Sequence, residues 1–80
     1  GGNLAVACQL MATEHRLSKR EIEVFDLIVK GYNRKAIARE LNMAEETVKT
    51  HTGRIYQKLL VHSKQELIEL ASQRAASLEQ

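Results

Sequence analysis

Side chains able to do covalent or metal chemistry are sparse in this chain. The histidines His15, His51 and His62 and the single Cys8 are its only imidazole and thiol groups. No two of the histidines stand four residues apart on a helix, and Cys8 has no second thiol, so the spacing of a metal site is missing. No serine or cysteine sits in a nucleophile motif, and no glycine-rich phosphate loop occurs. Catalysis, a metal and a cofactor are therefore not expected. What remains is hydrogen-bonding and ionic chemistry, concentrated in Thr47, Lys49, Thr50, His51 and Arg54, with Lys35 a short distance upstream. An ammonium, a guanidinium and short hydroxyls spaced along one helix face suit a polyanion that also carries hydrogen-bonding edges.

That face exists only if the stretch is helical. With Val48 as the zero of a 100° wheel, Thr52, Ile55 and Leu59 fall within about 40° of it, which predicts a helix over 45–59 with an apolar spine. Glu46, Thr50, Gly53 and Gln57 lie opposite. Lys49 sits on one flank; Thr47, Arg54 and Lys58 sit on the other. His51 lies about 60° from the apolar centre, where a half-buried structural role competes with contact to a partner.

Three further helices hold this one in place. Ser18-Lys19-Arg20-Glu21 is a capping box, with Leu17 and Ile22 as the matching hydrophobic staple. Ile22, Phe25, Ile28 and Val29 then line one face, widened by Val24 and Leu27, and Gly31 is a natural left-handed stop. Asn33 can cap a short helix over 34–41, and Asn42 tolerates a left-handed turn. Ser63 and Glu66 form a second capping box, opening a helix with Leu67, Ile68, Leu70 and Ala71.

Two short helices joined by a three- to four-residue turn make a helix-turn-helix candidate. Counting from Arg34, the fourth residue should be apolar (Ile37) and the fifth small where the helices cross (Ala38). The eighth, tenth and fifteenth should be apolar (Leu41, Met43, Val48), and the ninth must accept a positive φ (Asn42). The eighteenth, usually aliphatic, is His51. Such a unit lays its second helix in the major groove of duplex DNA. Lys49 then suits a guanine edge, and Thr50 a thymine methyl or a phosphate. Arg54, Lys35 and Thr47 suit phosphates, with His51 at the margin.

Composition agrees with one small domain. The chain has 80 residues, 44% apolar and 28% charged, with net charge +2 and no proline. Ten lysines and arginines against six acids between residues 16 and 58 give that centre a net +4, flanked by slightly acidic ends. No apolar run approaches the roughly 18 residues of a membrane span. With one cysteine and no basic leader, a reduced cytoplasmic setting is expected. Gly1-Gly2 without a methionine reads as a cloning remnant or a cut from a longer chain. Residues 1–14 are set apart as remnant and linker or an extra N-terminal helical segment, 15–76 as the DNA-binding domain and 77–80 as a tail. Leu4 to Ala12 is left open between a packed helix, a linker end and disorder.

The stretch Leu17-Ser18-Lys19-Arg20-Glu21 through Gly31, Ile37-Ala38, Thr47-Val48-Lys49-Thr50-His51 and Lys58-Leu59-Leu60-Val61-His62-Ser63 resembles the LuxR-type DNA-binding domain over about residues 15 to 73. The resemblance also accounts for His51, since the family usually has histidine there. It implies an all-α, four-helix domain of a bacterial transcription regulator, a fourth helix serving dimerisation (Leu67, Ile68, Ala71) and a separate N-terminal sensor or receiver domain. Expected partners are double-stranded DNA, a second copy of the chain and, further out, RNA polymerase; the full-length protein could be membrane-attached. Leu60 stands where the family usually has glycine, which predicts a differently built turn. Ala44 replaces the usual Ser/Thr cap, Arg34 a common asparagine, and Gly53 a position able to carry a base-contacting side chain. The competing readings are a sigma-factor-like promoter-reading region and a helical interaction module that has lost DNA binding.

Overall fold

A computed structural model of the chain describes residues 2–79; Gly1 and Gln80, in the two terminal segments, lie outside them. The elements are α1 (Gly2–Glu14), α2 (Lys19–Val29), α3 (Arg34–Leu41), α4 (Glu45–Leu59) and α5 (Lys64–Ser77), with no strand among the described residues. The all-α expectation holds, with four helices from Lys19 to Ser77 and the extra N-terminal helical segment as a fifth.

The Ser18 capping box forms in full. Ser18 Oγ accepts from the Glu21 amide at 3.2 Å, and Glu21 Oε1 accepts from the Ser18 amide at 2.8 Å. From that start α2 runs through the middle of the molecule and touches each of the other four helices. Its apolar face is therefore wide, as the widening at Val24 and Leu27 predicts, but centred differently. Val24 and Leu27 are buried with Phe25 and Ile28, whereas Ile22 and Val29 are only partly covered. Ile37, Val48, Ile55 and Leu67 close the core around Phe25.

The N-terminal segment is the added helix. α1 lies chiefly along α5 and reaches α2, burying Ala7, Cys8, Met11 and Ala12. Burying Met11 alone stabilises by about 1.5–3 kcal/mol. Two side-chain contacts tie its ends. Asn3 Nδ2 donates to Glu79 Oε1 at 2.9 Å, and Arg74 grips Glu14 with both terminal guanidinium nitrogens, one at 2.8 Å. Residues 2–14, set apart in the sequence, thus contribute to one core with the rest.

Four helices stop in the same way. Arg16, Gly31, Asn42 and Leu60 all have positive φ (56°, 94°, 53° and 59°). After each, an amide reaches back five residues: Leu17 to the Ala12 carbonyl, Tyr32 to Leu27, Met43 to Ala38 and Val61 to Tyr56, at 2.9–3.0 Å. This double hydrogen-bonded stop satisfies carbonyls that the helix ends leave open. Leu60 corrects the expectation of a differently built turn. It adopts the left-handed conformation that glycine would supply, at a cost of roughly 1–2 kcal/mol, with its side chain 83% exposed. The second capping box is also only half as expected. Ser63 Oγ accepts from the Glu66 amide at 3.1 Å, but the Glu66 carboxylate reaches past Ser63 to the His62 amide at 2.8 Å.

Candidate nucleic-acid interface

α3 and α4 build the helix-turn-helix that the spacing predicts. Asn33 Oδ1 accepts from the Ala36 amide at 2.8 Å and starts α3. Ile37 and Ala38 are buried where the helices cross, and Leu41 and Met43 are partly covered. Left-handed Asn42 turns the chain, and three residues separate the end of α3 from the start of α4. No side chain caps α4 at Ala44. Glu45 and Glu46 in its first turn interact favourably with the helix dipole instead.

Val48, Ile55 and Leu59 anchor α4 to the core, leaving Thr47, Lys49, Thr50, Gly53, Arg54 and Gln57 exposed. Lys49, Arg54 and the exposed Lys35 on α3 take part in no ion pair among the described residues. Lys58 behaves differently. It shares the Arg54 flank on a helical wheel, but its ammonium turns inward to Glu21 Oε1 at 2.6 Å and to the Arg16 carbonyl at 3.1 Å. Glu21 is only 3% exposed. Its burial raises the carboxyl pKa, but the hydrogen bonds from Lys58 and Ser18 outweigh burial and hold the group below the ordinary glutamate range. Lys58 is thereby a structural cation, a fact hidden from local sequence because its partner lies 37 residues away.

Two other side chains are constrained. Thr50 donates its hydroxyl hydrogen to the Glu46 carbonyl at 3.1 Å, so it offers a partner a methyl group and acceptor lone pairs. His51 is half-buried, and its Nδ1 is sealed in the domain without a hydrogen-bond partner. Only its other ring nitrogen is left to face a ligand. Of the residues expected at a dimer contact, Leu67 and Ala71 have no exposed surface in this protomer, because α5 is sandwiched between α1 and α2. Ile68 alone keeps surface that a second protomer can reach.

Sequence reasoning missed a groove of ≈ 470 Å³ beside the Lys49 flank. Its floor is Ile28, Ile37 and Val48; its rim carries Arg34, Lys49 and Lys64, with Tyr32 and Tyr56, and no acid lines it. Lys64 Nζ donates to the Tyr32 carbonyl at 3.2 Å, tying the start of α5 to the α2–α3 turn. Burial pushes the Tyr56 phenol up, which keeps it a hydrogen-bond donor near neutral pH. The wheel places Tyr56 and Gly53 beside Lys49, but the approach of Arg34 and Lys64 is a tertiary fact that no local pattern encodes. No helix among the described residues is long and apolar enough to cross a membrane.

Comparison with known proteins matches residues 15–71 to the family described as bacterial regulatory proteins, luxR family. Among curated proteins, the chain is similar to the oxygen regulatory protein NreC of Staphylococcus carnosus (strain TM300), 51% identical over 55 residues. It is likewise similar to NreC of Staphylococcus aureus (strain JH9), 49% identical over 55 residues. Both matches take in 69% of this chain and 25% of the relative, so the chain spans about a quarter of the length of these relatives. No solved structure gave a significant match. With its helix-turn-helix in place and most of its length matched, the chain belongs to the luxR family of bacterial regulatory proteins, as a DNA-binding domain of transcription regulation.

Proposed function

We propose that this domain binds duplex DNA with sequence preference, inserting α4 in the major groove, and works as a dimer. The observation that carries the reading is the placement of unpaired cations on both flanks of the exposed α4 face, Lys49 on one and Arg54 on the other. A helix in the major groove has a phosphate strand on each side, so cations on both flanks match what it meets there. Lys49 reads base edges, and Thr50 presents its methyl to thymine. Arg54, Lys35 and Thr47 hold phosphates, and His51 supports α4 from its inner flank while offering one nitrogen outward. The basic groove carrying Arg34 and Lys64 lies where the strand on the Lys49 side would run.

In the whole protein a sensor or receiver domain would control this binding from the N-terminal side, in the cytoplasm, with RNA polymerase as the downstream partner. The short coverage of the much longer NreC relatives supports that arrangement. Fluorescence anisotropy with pooled random duplexes, titrated at several salt concentrations with sequencing of the bound fraction, tests the reading. The expected result is a linear fall of log K with log salt, about 0.9 per phosphate neutralised, and enrichment of a two-fold symmetric sequence. Absence of binding at low salt overturns it.

A further inference from the structure

Gly53 is a residue of the exposed α4 face that the fold does not explain. Gly31 stops α2 with a φ of 94°, a conformation that glycine adopts at little cost. Gly53 instead sits inside α4, in regular helix. Beyond its chain neighbours and its own helix backbone, a Cβ built there would meet no heavy atom within 4 Å. No other helix presses on the site, so packing does not require a bare backbone. Glycine in a helix interior weakens the helix relative to alanine. The domain thus carries a local cost that nothing inside it offsets.

Its surroundings point outward. On a helical wheel Gly53 lies between Lys49 and Arg54, about 40° from the first and about 100° from the second. It also lines the basic groove, together with Lys49 and Tyr56. Thr50, one turn earlier, stands at the centre of the same face with its hydroxyl tied back to the Glu46 carbonyl at 3.1 Å. Thr50 so held projects only its methyl group. The middle of the face is therefore low, while Lys49 and Arg54 on its flanks are long, exposed and in no ion pair among the described residues. A helix with its side chains is about 10–12 Å across, and the major groove is about 12 Å wide. That fit has little slack, so the height of the middle of the face sets how deep α4 can seat.

We infer that Gly53 is the point of closest approach between α4 and DNA. With no side chain there, the helix backbone comes down far enough for the Thr50 methyl to reach a base. Gly53 is thus a specificity-determining position that acts through Thr50, although it has no side chain of its own to offer. The inference rests on the major-groove reading above and deepens it. Glycine serves this purpose wherever a ligand must come closer to backbone than a Cβ allows. Arg54 and Lys35, on long flexible side chains, hold phosphates at either depth. Base contact by the short Thr50 does not survive a shallower seat.

The test uses the full chain with Gly53→Ala, Gly53→Leu and Thr50→Ser, and with Gly53→Ala and Thr50→Ser combined; Thr50→Ser removes only the methyl. Thermal unfolding comes first. Gly53→Ala is expected to raise Tm by about 5 °C, because helix propensity improves and nothing is displaced. A loss of binding in that variant is then not a loss of fold. Anisotropy titration reads affinity for the duplex selected above and for unselected duplex. Gly53→Ala is expected to weaken binding to the selected duplex about tenfold, and Gly53→Leu further. Binding to unselected duplex, held by phosphate contacts, is expected to fall less than about threefold. Thr50→Ser is expected to cost about fivefold in the parent and nothing in the Gly53→Ala background, where the methyl no longer reaches a base. A lowered Tm in Gly53→Ala, selected-duplex binding within twofold of the parent, or a Thr50→Ser cost equal in both backgrounds overturns the inference. If the parent binds no duplex, the major-groove reading fails and takes the inference with it. A parent that binds while Gly53→Ala binds equally well fails the inference alone.

Discussion

The two sides of this domain treat their cations in opposite ways. On the side formed by α1, α5 and the far end of α4, Arg74 is clamped to Glu14, and Lys58 is drawn into the buried Glu21. On the side formed by α3 and the start of α4, Lys35, Lys49 and Arg54 stand exposed and in no ion pair among the described residues. Net charge does not separate the two groups, since all are lysine or arginine on helices. The internal partner does. A cation clamped to an acid of another helix ties the fold together, and a cation without one remains free for an external polyanion.

Breaking a structural cation should give the largest change in stability and none in binding. Lys58→Met leaves the Glu21 carboxylate buried without its counter-ion. Loss of a fully buried partner costs about 3–5 kcal/mol. Because the Lys58 side chain is 37% exposed and solvent screens part of the interaction, about 2 kcal/mol is expected. In a domain of this size that lowers Tm by about 10 °C. Thermal unfolding measures it, and DNA affinity of the folded fraction should not move.

The pH dependence sharpens the same point. Glu21 has a folded pKa below its unfolded value, so its contribution is complete above the unfolded value of about 4.3 and is lost as pH falls through the lower folded one. In Lys58→Met, burial without the counter-ion pushes the Glu21 carboxyl upward, so the stability gap between parent and variant should be widest near neutrality and narrow as pH falls towards and below the ordinary glutamate value. A gap unchanged at pH 3 would remove Glu21 from the account.

Breaking a free cation should do the reverse. Lys49→Ala is expected to weaken binding to the selected duplex about 10- to 30-fold, to weaken binding to unselected duplex far less, and to leave Tm within a degree or two. Equal losses on both duplexes would make Lys49 a phosphate contact only. Leu60→Gly, at a stop far from the DNA face, should raise stability by about 1 kcal/mol through relief of left-handed strain, with binding unchanged. The smallest effect belongs to Lys35→Ala, expected to reduce affinity evenly across sequences and to lower the salt slope by about one.

The legible parts of the sequence were those whose signals are local. The Ser18-to-Glu21 box, the Asn33 cap, left-handed Asn42 and the 45–59 span of α4 all depend on neighbours a few residues apart, and all appear as read. Contacts that join distant segments stayed hidden. The Glu21–Lys58 pair and the basic groove arise only when helices far apart in sequence meet. α1 has no charged residue from Gly2 to Thr13 to mark its outer face, so its docking on α5 could not be inferred from Leu4 to Ala12 alone. Leu60 was misread for a subtler reason. Residue type argued against a left-handed turn, but the hydrogen bonds from Leu60 and Val61 back to Gln57 and Tyr56 impose one.

Those repeated helix stops bear on how such a domain could acquire new targets. Only one of the four left-handed positions is glycine, so Arg16 and Leu60 in particular hold strain that a single substitution would release. Changes on the exposed face of α4 tend to lower stability, as most substitutions do. A lineage that first gained glycine at one of these stops would tolerate such changes, each roughly matched by the strain relieved. Strained stops such as Arg16 and Leu60 thus govern how freely the exposed residues of α4 can vary.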